Sequence, residues 1–135
     1  MDYEIALLFD QADALQRLAE LFIAEWTPWY GPDGKGSAEA DLIGCMNRDQ
    51  LPIAVVAVSK DGQVLGTAAL KLESLGSEHF DGPWLAAVVV DPVFRGHGIG
   101  TSLIQTVEEQ ARRLGFAQIY TSTDAARSIV EQRGW

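Results

Sequence analysis

WLAAVVVDPVFRGHGIGTSLIQTVEEQARRLGF, residues 84–116, is the stretch that decides the fold. Its opening apolar run, Trp84 to Val90, has the length of one strand and no polar alternation, the pattern of a strand covered on both faces. From Leu103 the apolar positions Leu103, Ile104, Val107, Ala111 and Leu114 recur at helical spacing until Gly115 stops them. Between strand and helix lie Asp91-Pro92 and the glycine-rich RGHGIG. A glycine-rich turn feeding a helix start leaves backbone N–H groups without intrahelical partners, and the helix dipole adds partial positive charge there. Such a turn suits an anion, phosphate above all. Gly96, Gly98 and Gly100 admit a close ligand, and Arg95 offers a charge-assisted donor. No Lys stands in the turn, which excludes a P-loop, and Thr101 occupies the place of the third glycine of a dinucleotide fingerprint.

Working outward, Tyr3–Leu8 is β-prone. A first helix is expected from Asp10 as N-cap, with Ala14, Leu15, Leu18, Leu21, Phe22 and Trp26 on one face, ending before Pro28. Residues 27–37, rich in Gly and Pro, read as a loop, after which Ser37 caps a short helix to about Asn47. IAVVAVS and QVLGTAALKLE flank Lys60-Asp61-Gly62 as a hairpin, and a polar loop, 74–83, leads to the strand at Trp84. FAQIYTS reads as a further strand and DAARSIVEQR as a last helix capped by Asp124. The order β-α-α-β-β-β-α-β-α, with a hairpin and a strand-helix-strand crossover, implies one α/β domain, residues 1–135, with a mixed sheet.

Composition narrows the chemistry. The net charge of −9 argues against nucleic acid and against acidic membranes as partners. Residues 1–94 hold 15 acids against 5 bases, and residues 95–135 hold 4 against 5. An anionic ligand therefore belongs with the last third of the chain and a cationic one with the rest. The single Cys45 forms no internal disulfide, and no Cys/His spacing suggests a metal site. There is no long apolar span, and the first residues, MDYEIALLFDQ, carry acids where a leader carries bases. The expectation is a soluble, cytoplasmic protein.

The run Arg95 to Gly100 is Arg-x-x-Gly-x-Gly, and it resembles the diphosphate signature Gln/Arg-x-x-Gly-x-Gly/Ala of the GNAT N-acetyltransferases. The resemblance covers residues 84–116, continues weakly into SIVEQRGW, and extends by element order to the first helix. It implies a GNAT-like mixed sheet with helices on both faces and acetyl-CoA as the acyl donor. The backbone of Arg95, Gly96, His97, Gly98, Ile99, Gly100 and Thr101 would hold the diphosphate, His97 at a variable position of the motif. Val88, Val89 and Val90 would pair with the pantetheine arm, and the thioester would lie between them and the strand 118–122. The implied reaction is direct attack by a primary amine, small-molecule or peptidyl, in a ternary complex.

That reaction needs a proton acceptor for the ammonium and a donor for the oxyanion. Glu73, with Glu78 and Asp81 behind it, is the candidate base; each also reads as a solvated surface acid. The family's acid, a Tyr in the last helix, matches Val130 here, so Tyr120 is the substitute candidate, with an ordinary strand aromatic as its other reading. Trp26, Trp29 and Tyr30 could wall the acceptor pocket, with Glu25 and Asp33 near in sequence, or fold back on the core. The sequence ends at Trp135, short of two further strands of the family, which suggests truncation or an edge completed by a second chain, as in a homodimer. A CoA-binding module without turnover, or a subunit active only with such a partner, stands as the alternative function.

Overall fold

The computed structural model describes residues 2–26, 30, 36–71 and 83–116, and the backbone of residues 120–121. Strand β1 (Tyr3–Leu7) leads through two 3-10 turns into helix α1 (Leu15–Glu25), and α2 (Ala38–Gly44) follows. The hairpin β2 (Ile53–Ser59) and β3 (Val64–Lys71), then β4 (Trp84–Val90), α3 (Ile99–Arg113) and β5 (Tyr120–Thr121), complete the described elements. The strands lie in the order β1-β2-β3-β4-β5. The first four are antiparallel neighbours, while β5 pairs parallel to β4 through Trp84↔Tyr120 and Leu85↔Thr121. This is the mixed sheet the sequence implies. The expected last helix lies outside the described residues.

Alternation along the strands sorts the core into two layers. Ile53, Val55, Ala57, Leu65, Leu70 and Leu85 pack against Ile99, Leu103, Ile104, Val107 and Ala111 of α3. On the opposite face Ala54, Val56, Ala69 and Val89 pack against Leu18, Leu21 and Phe22 of α1 and Ala38 and Leu42 of α2. Both faces of the sheet are thus covered by helices, which is why β4 carries no polar side chain. At the sheet edge the Tyr3 hydroxyl donates to Ser102 Oγ at 2.7 Å, tying β1 to α3.

Local chemistry sets most boundaries. Ser37 Oγ accepts from Ala40 N at 3.2 Å and caps α2 as expected. Gly62, at φ 87°, turns the hairpin. Gly115, at φ 93°, ends α3 as its amide donates to Arg112 O at 3.0 Å and that of Phe116 to Ala111 O at 2.9 Å. Two expectations need correction. Asp10 caps no helix: it sits in the first 3-10 turn, and α1 begins only at Leu15 without a side-chain cap. Both Leu8 and Ala14 are buried, and the tighter turns, closed by Gln11 N to Leu8 O and Ala14 N to Gln11 O at 2.9 Å each, bring both inward. The second helix stops at Gly44, three residues early, because Asn47 Nδ2 donates to Gly44 O at 3.0 Å and to Pro52 O at 2.8 Å and pulls the chain toward β2.

Gly66 on β3 faces Val90 of β4. A Cβ there would lie 2.7 Å from Val89 O, 3.1 Å from the Val90 Cα and 3.2 Å from Leu103 Cδ1. The bare backbone therefore lets the end of β4 and the second turn of α3 settle against β3. Replacing Gly66 by Ala should lower unfolding stability by about 1–3 kcal/mol, the usual cost of forcing a methyl group into closed packing. Urea denaturation of Gly66→Ala checks this.

Candidate functional site

The site is built where β4 ends. Its pairing with β3 slips between Thr67↔Val89 and Ala69↔Ala86, so Ala87 and Val88 together oppose Ala68. The extra residue is a β-bulge, and Ala87 adopts φ 55°, the left-handed region that few non-glycine residues enter. A one-residue slip exchanges the faces of everything that follows. Leu85 points to the α3 layer, yet beyond the bulge Val88 and Val90 take that side while Val89 joins the α1 layer.

Next comes Asp91, buried at 5% exposure. Its Oδ1 accepts from Val93 N at 3.0 Å, capping the 3-10 turn Pro92–Phe94, and its Oδ2 accepts from Arg17 Nη2 at 2.8 Å. The amide of Asp91 donates to Leu65 O at 2.8 Å. The carboxylate thus joins β4, the turn and α1. The chain then passes through Arg95 in an extended conformation, Gly96 at φ 88° and Gly98 at φ 75°. Gly98 is the N-cap of α3, and no side chain caps the helix. The first intrahelical bond, Ser102 N to Gly98 O at 3.1 Å, leaves the amides of Ile99, Gly100 and Thr101 ahead of it. A Cβ on Gly96 or Gly98 would meet no protein atom within 4 Å, so the space beside both is open.

That space is a cleft of about 420 Å³ lined by Val88, Val89 and Val90, by Phe94 to Gly96, by Gly98 to Thr101, and by Glu25. It meets what a diphosphate ester with an extended arm requires: unpaired amides at a helix start, glycines without side chains, and a strand end for the arm. The sequence profile of the acetyltransferase (GNAT) family matches residues 15–135. The chain belongs to the GNAT family.

Its relatives agree. YhbS of Escherichia coli K12, an uncharacterized N-acetyltransferase, is 28% identical over 93 residues, 68% of this chain. The match spans only 56% of that protein's length. Among solved structures, an acetyltransferase of Trypanosoma brucei superposes with a TM-score of 0.68 at 26% identity, covering 99% of this chain and 92% of that one. The aminoglycoside acetyltransferase AAC(6')-Iy, solved with a CoA bisubstrate analogue, shares the fold at a TM-score of 0.71 and 20% identity, over 98% of this chain and 87% of that one.

Within this GNAT chain the structure brings nine of the ten expected cofactor-turn residues to the cleft; His97 is exposed and outside its lining. Arg95 is engaged on both sides. Its Nε donates to Val90 O at 3.1 Å and its Nη2 to Glu25 Oε2 at 3.2 Å. The aromatic candidates behave differently. Trp26 and Tyr30 are half-buried and gather on Phe22, at centroid separations of 5.0 and 5.7 Å, and the Tyr30 hydroxyl donates to Asp41 of α2. They fold back on the core. Trp29, Glu73, Glu78, Asp81 and Val130 lie outside the described residues, and for Tyr120 only the backbone is described. Cys45 is buried, and desolvation pushes its thiol above the ordinary range, which keeps it protonated and unreactive at neutral pH.

Sequence reading missed the bulge, because nothing in Ala86-Ala87-Val88 signals a turn, and it did not connect Glu25 to the cleft, because that contact joins residues 70 positions apart. A β-branched side chain fits the left-handed region poorly. Ala87→Val should cost about 1–3 kcal/mol of stability, the range for strained backbone. Thermal unfolding of the purified variant, beside a conservative Val88→Ile control, measures it.

Proposed function

We propose that this protein transfers an acetyl group from acetyl-CoA to a primary amine, the two substrates being held together without a covalent enzyme intermediate. The observation that carries the reading is the cleft at the start of α3, with Gly96 and Gly98 at positive φ and the amides of Ile99, Gly100 and Thr101 ahead of the first helical bond. A fold relative, an aminoglycoside 6'-N-acetyltransferase complexed with coenzyme A at 24% identity and a TM-score of 0.67, supports the same ligand.

In this reading the turn from Arg95 to Thr101 binds the diphosphate through backbone donors, with His97 at its exposed edge. The end of β4, Val88 to Val90, receives the pantetheine arm, and the bulge at Ala87 turns the local backbone toward the reacting end of that arm. The thioester supplies an activated acyl group. The chain's own residues orient the acceptor and remove its proton. Glu73 is the proposed base, directly or through water, and Tyr120 the proposed donor to the departing sulfur. A thiol with a pKa of about 8.5 leaves readily, so Tyr120 contributes modestly. Trp29 is proposed to flank the acceptor beside α1, while Trp26 and Tyr30 keep their packing on Phe22. The acidic balance of residues 1–94 favours a cationic amine.

Isothermal titration with acetyl-CoA should give a saturable heat. Thiol release from acetyl-CoA should then depend on added primary amine in a panel of polyamines, aminoglycosides and lysine peptides. Heat without amine-dependent thiol release identifies a CoA-binding module instead of an enzyme. Gly98→Val sets a β-branched side chain at a left-handed position facing the cleft. It should weaken acetyl-CoA binding at least tenfold, equivalent to about 1.4 kcal/mol, in protein that retains the circular dichroism of the parent.

A further inference from the structure

Among the described residues lining the cleft, Glu25 and Arg95 are the two charged side chains, and they hold each other at 3.2 Å. Glu25 ends α1, whereas Arg95 opens the diphosphate turn. Both are partly open to solvent, with 32% and 53% of their side chains exposed, so the pair is weakly held and can exchange partners. The guanidinium has two distinct anchors. Nε is fixed on Val90 O by a backbone contact, while Nη2 reaches Glu25. The guanidinium is one rigid plane, so swinging it toward the cleft releases Glu25.

A diphosphate entering this cleft meets a carboxylate that repels it and a guanidinium occupied by that carboxylate. Two anions then compete for one cation. Guanidinium groups bind phosphate oxygens through forked, charge-assisted hydrogen bonds, and a diphosphate carries more charge than a single carboxylate. Glu25 is thereby left at the cleft wall without its counterion. That carboxylate is then open to a new cation at the α1 end of the cleft.

We propose that Glu25 and Arg95 form an exchangeable pair that links the two halves of the site: Arg95 passes from Glu25 to the diphosphate, and the released Glu25 carboxylate receives the ammonium of a cationic acceptor. Glu25 is in this sense a positioning residue for the acceptor. The inference rests on the acyl-CoA reading above. It adds that the free protein masks its own acceptor carboxylate and that the cofactor unmasks it.

Titration calorimetry with two probes, CoA and spermidine, at fixed ionic strength tests it in wild type, Glu25→Gln and Arg95→Gln; Gln at 95 keeps an N–H donor for Val90 O. Glu25→Gln should bind CoA about two- to fivefold more tightly, the range an exposed ion pair spans. If Glu25 instead holds Arg95 ready for phosphate, the same substitution weakens CoA binding, and the proposal fails; unchanged affinity also overturns it. Spermidine should bind CoA-loaded wild type roughly tenfold more tightly than free wild type, in keeping with a hydrogen bond to a charged group. Arg95→Gln should bind spermidine without CoA, and Glu25→Gln should lose that binding with or without CoA. Equal spermidine binding in free and CoA-loaded wild type, no binding to the loaded protein, or no gain in Arg95→Gln overturns the exchange. Wild type that takes up no CoA overturns the acyl-CoA reading itself, whereas CoA uptake with any of the contrary results removes the exchange alone.

Discussion

The buried carboxylate of Asp91 accepts one bond from the turn it precedes and one from Arg17 on α1. With its own amide fixed on Leu65 of β3, one residue joins the central sheet, the first helix and the loop that opens the cleft. A carboxylate taken this far out of water is tolerated only when its oxygens are paired, so the three elements are held in one arrangement. The glycines that follow are then free to take left-handed conformations without setting the turn adrift. Pro92, at the start of the 3-10 turn, adds a fixed φ at the point where the chain leaves the strand.

Two features shape the end of β4 that leads into that anchor. Gly66 removes a side chain where β3, β4 and α3 meet, and the bulge at Ala87 inserts an extra residue into β4. The bulge has a packing consequence as well as a local one. By exchanging the faces of Val88, Val89 and Val90 it supplies both core layers from consecutive valines and still presents all three to the cleft. Core and cleft wall are therefore made from the same residues, and changes at β4 act on both together.

Sequence made the strand-turn-helix unit legible because its determinants are local. Seven apolar residues, a glycine run and a 3.6-residue apolar period each act within a few positions, and the structure places β4, the turn and α3 at the expected residues. The hairpin at Gly62, the Ser37 cap and the Gly115 stop were legible for the same reason. Where boundaries moved, a distant requirement had outweighed a local preference. Asp10 is a good capping residue, yet the burial of Leu8 and Ala14 calls for tighter turns there. Trp26 and Tyr30 illustrate the same limit: a loop aromatic reads alike whether it faces a ligand or a core, and their contacts with Phe22 and Asp41 come from tertiary neighbours.

What the sequence determined by itself is the glycine-rich turn at the start of α3 and the family it belongs to, since left-handed glycines and the start of a helix are properties of a short stretch of backbone. What the tertiary structure decided is how that turn is equipped. The bulge belongs to the register in which β4 pairs with β3, and the placement of Glu25 against Arg95 to how α1 docks across the sheet. Both depend on pairings between distant segments, and no local residue pattern encodes the distance between two chains before they pack.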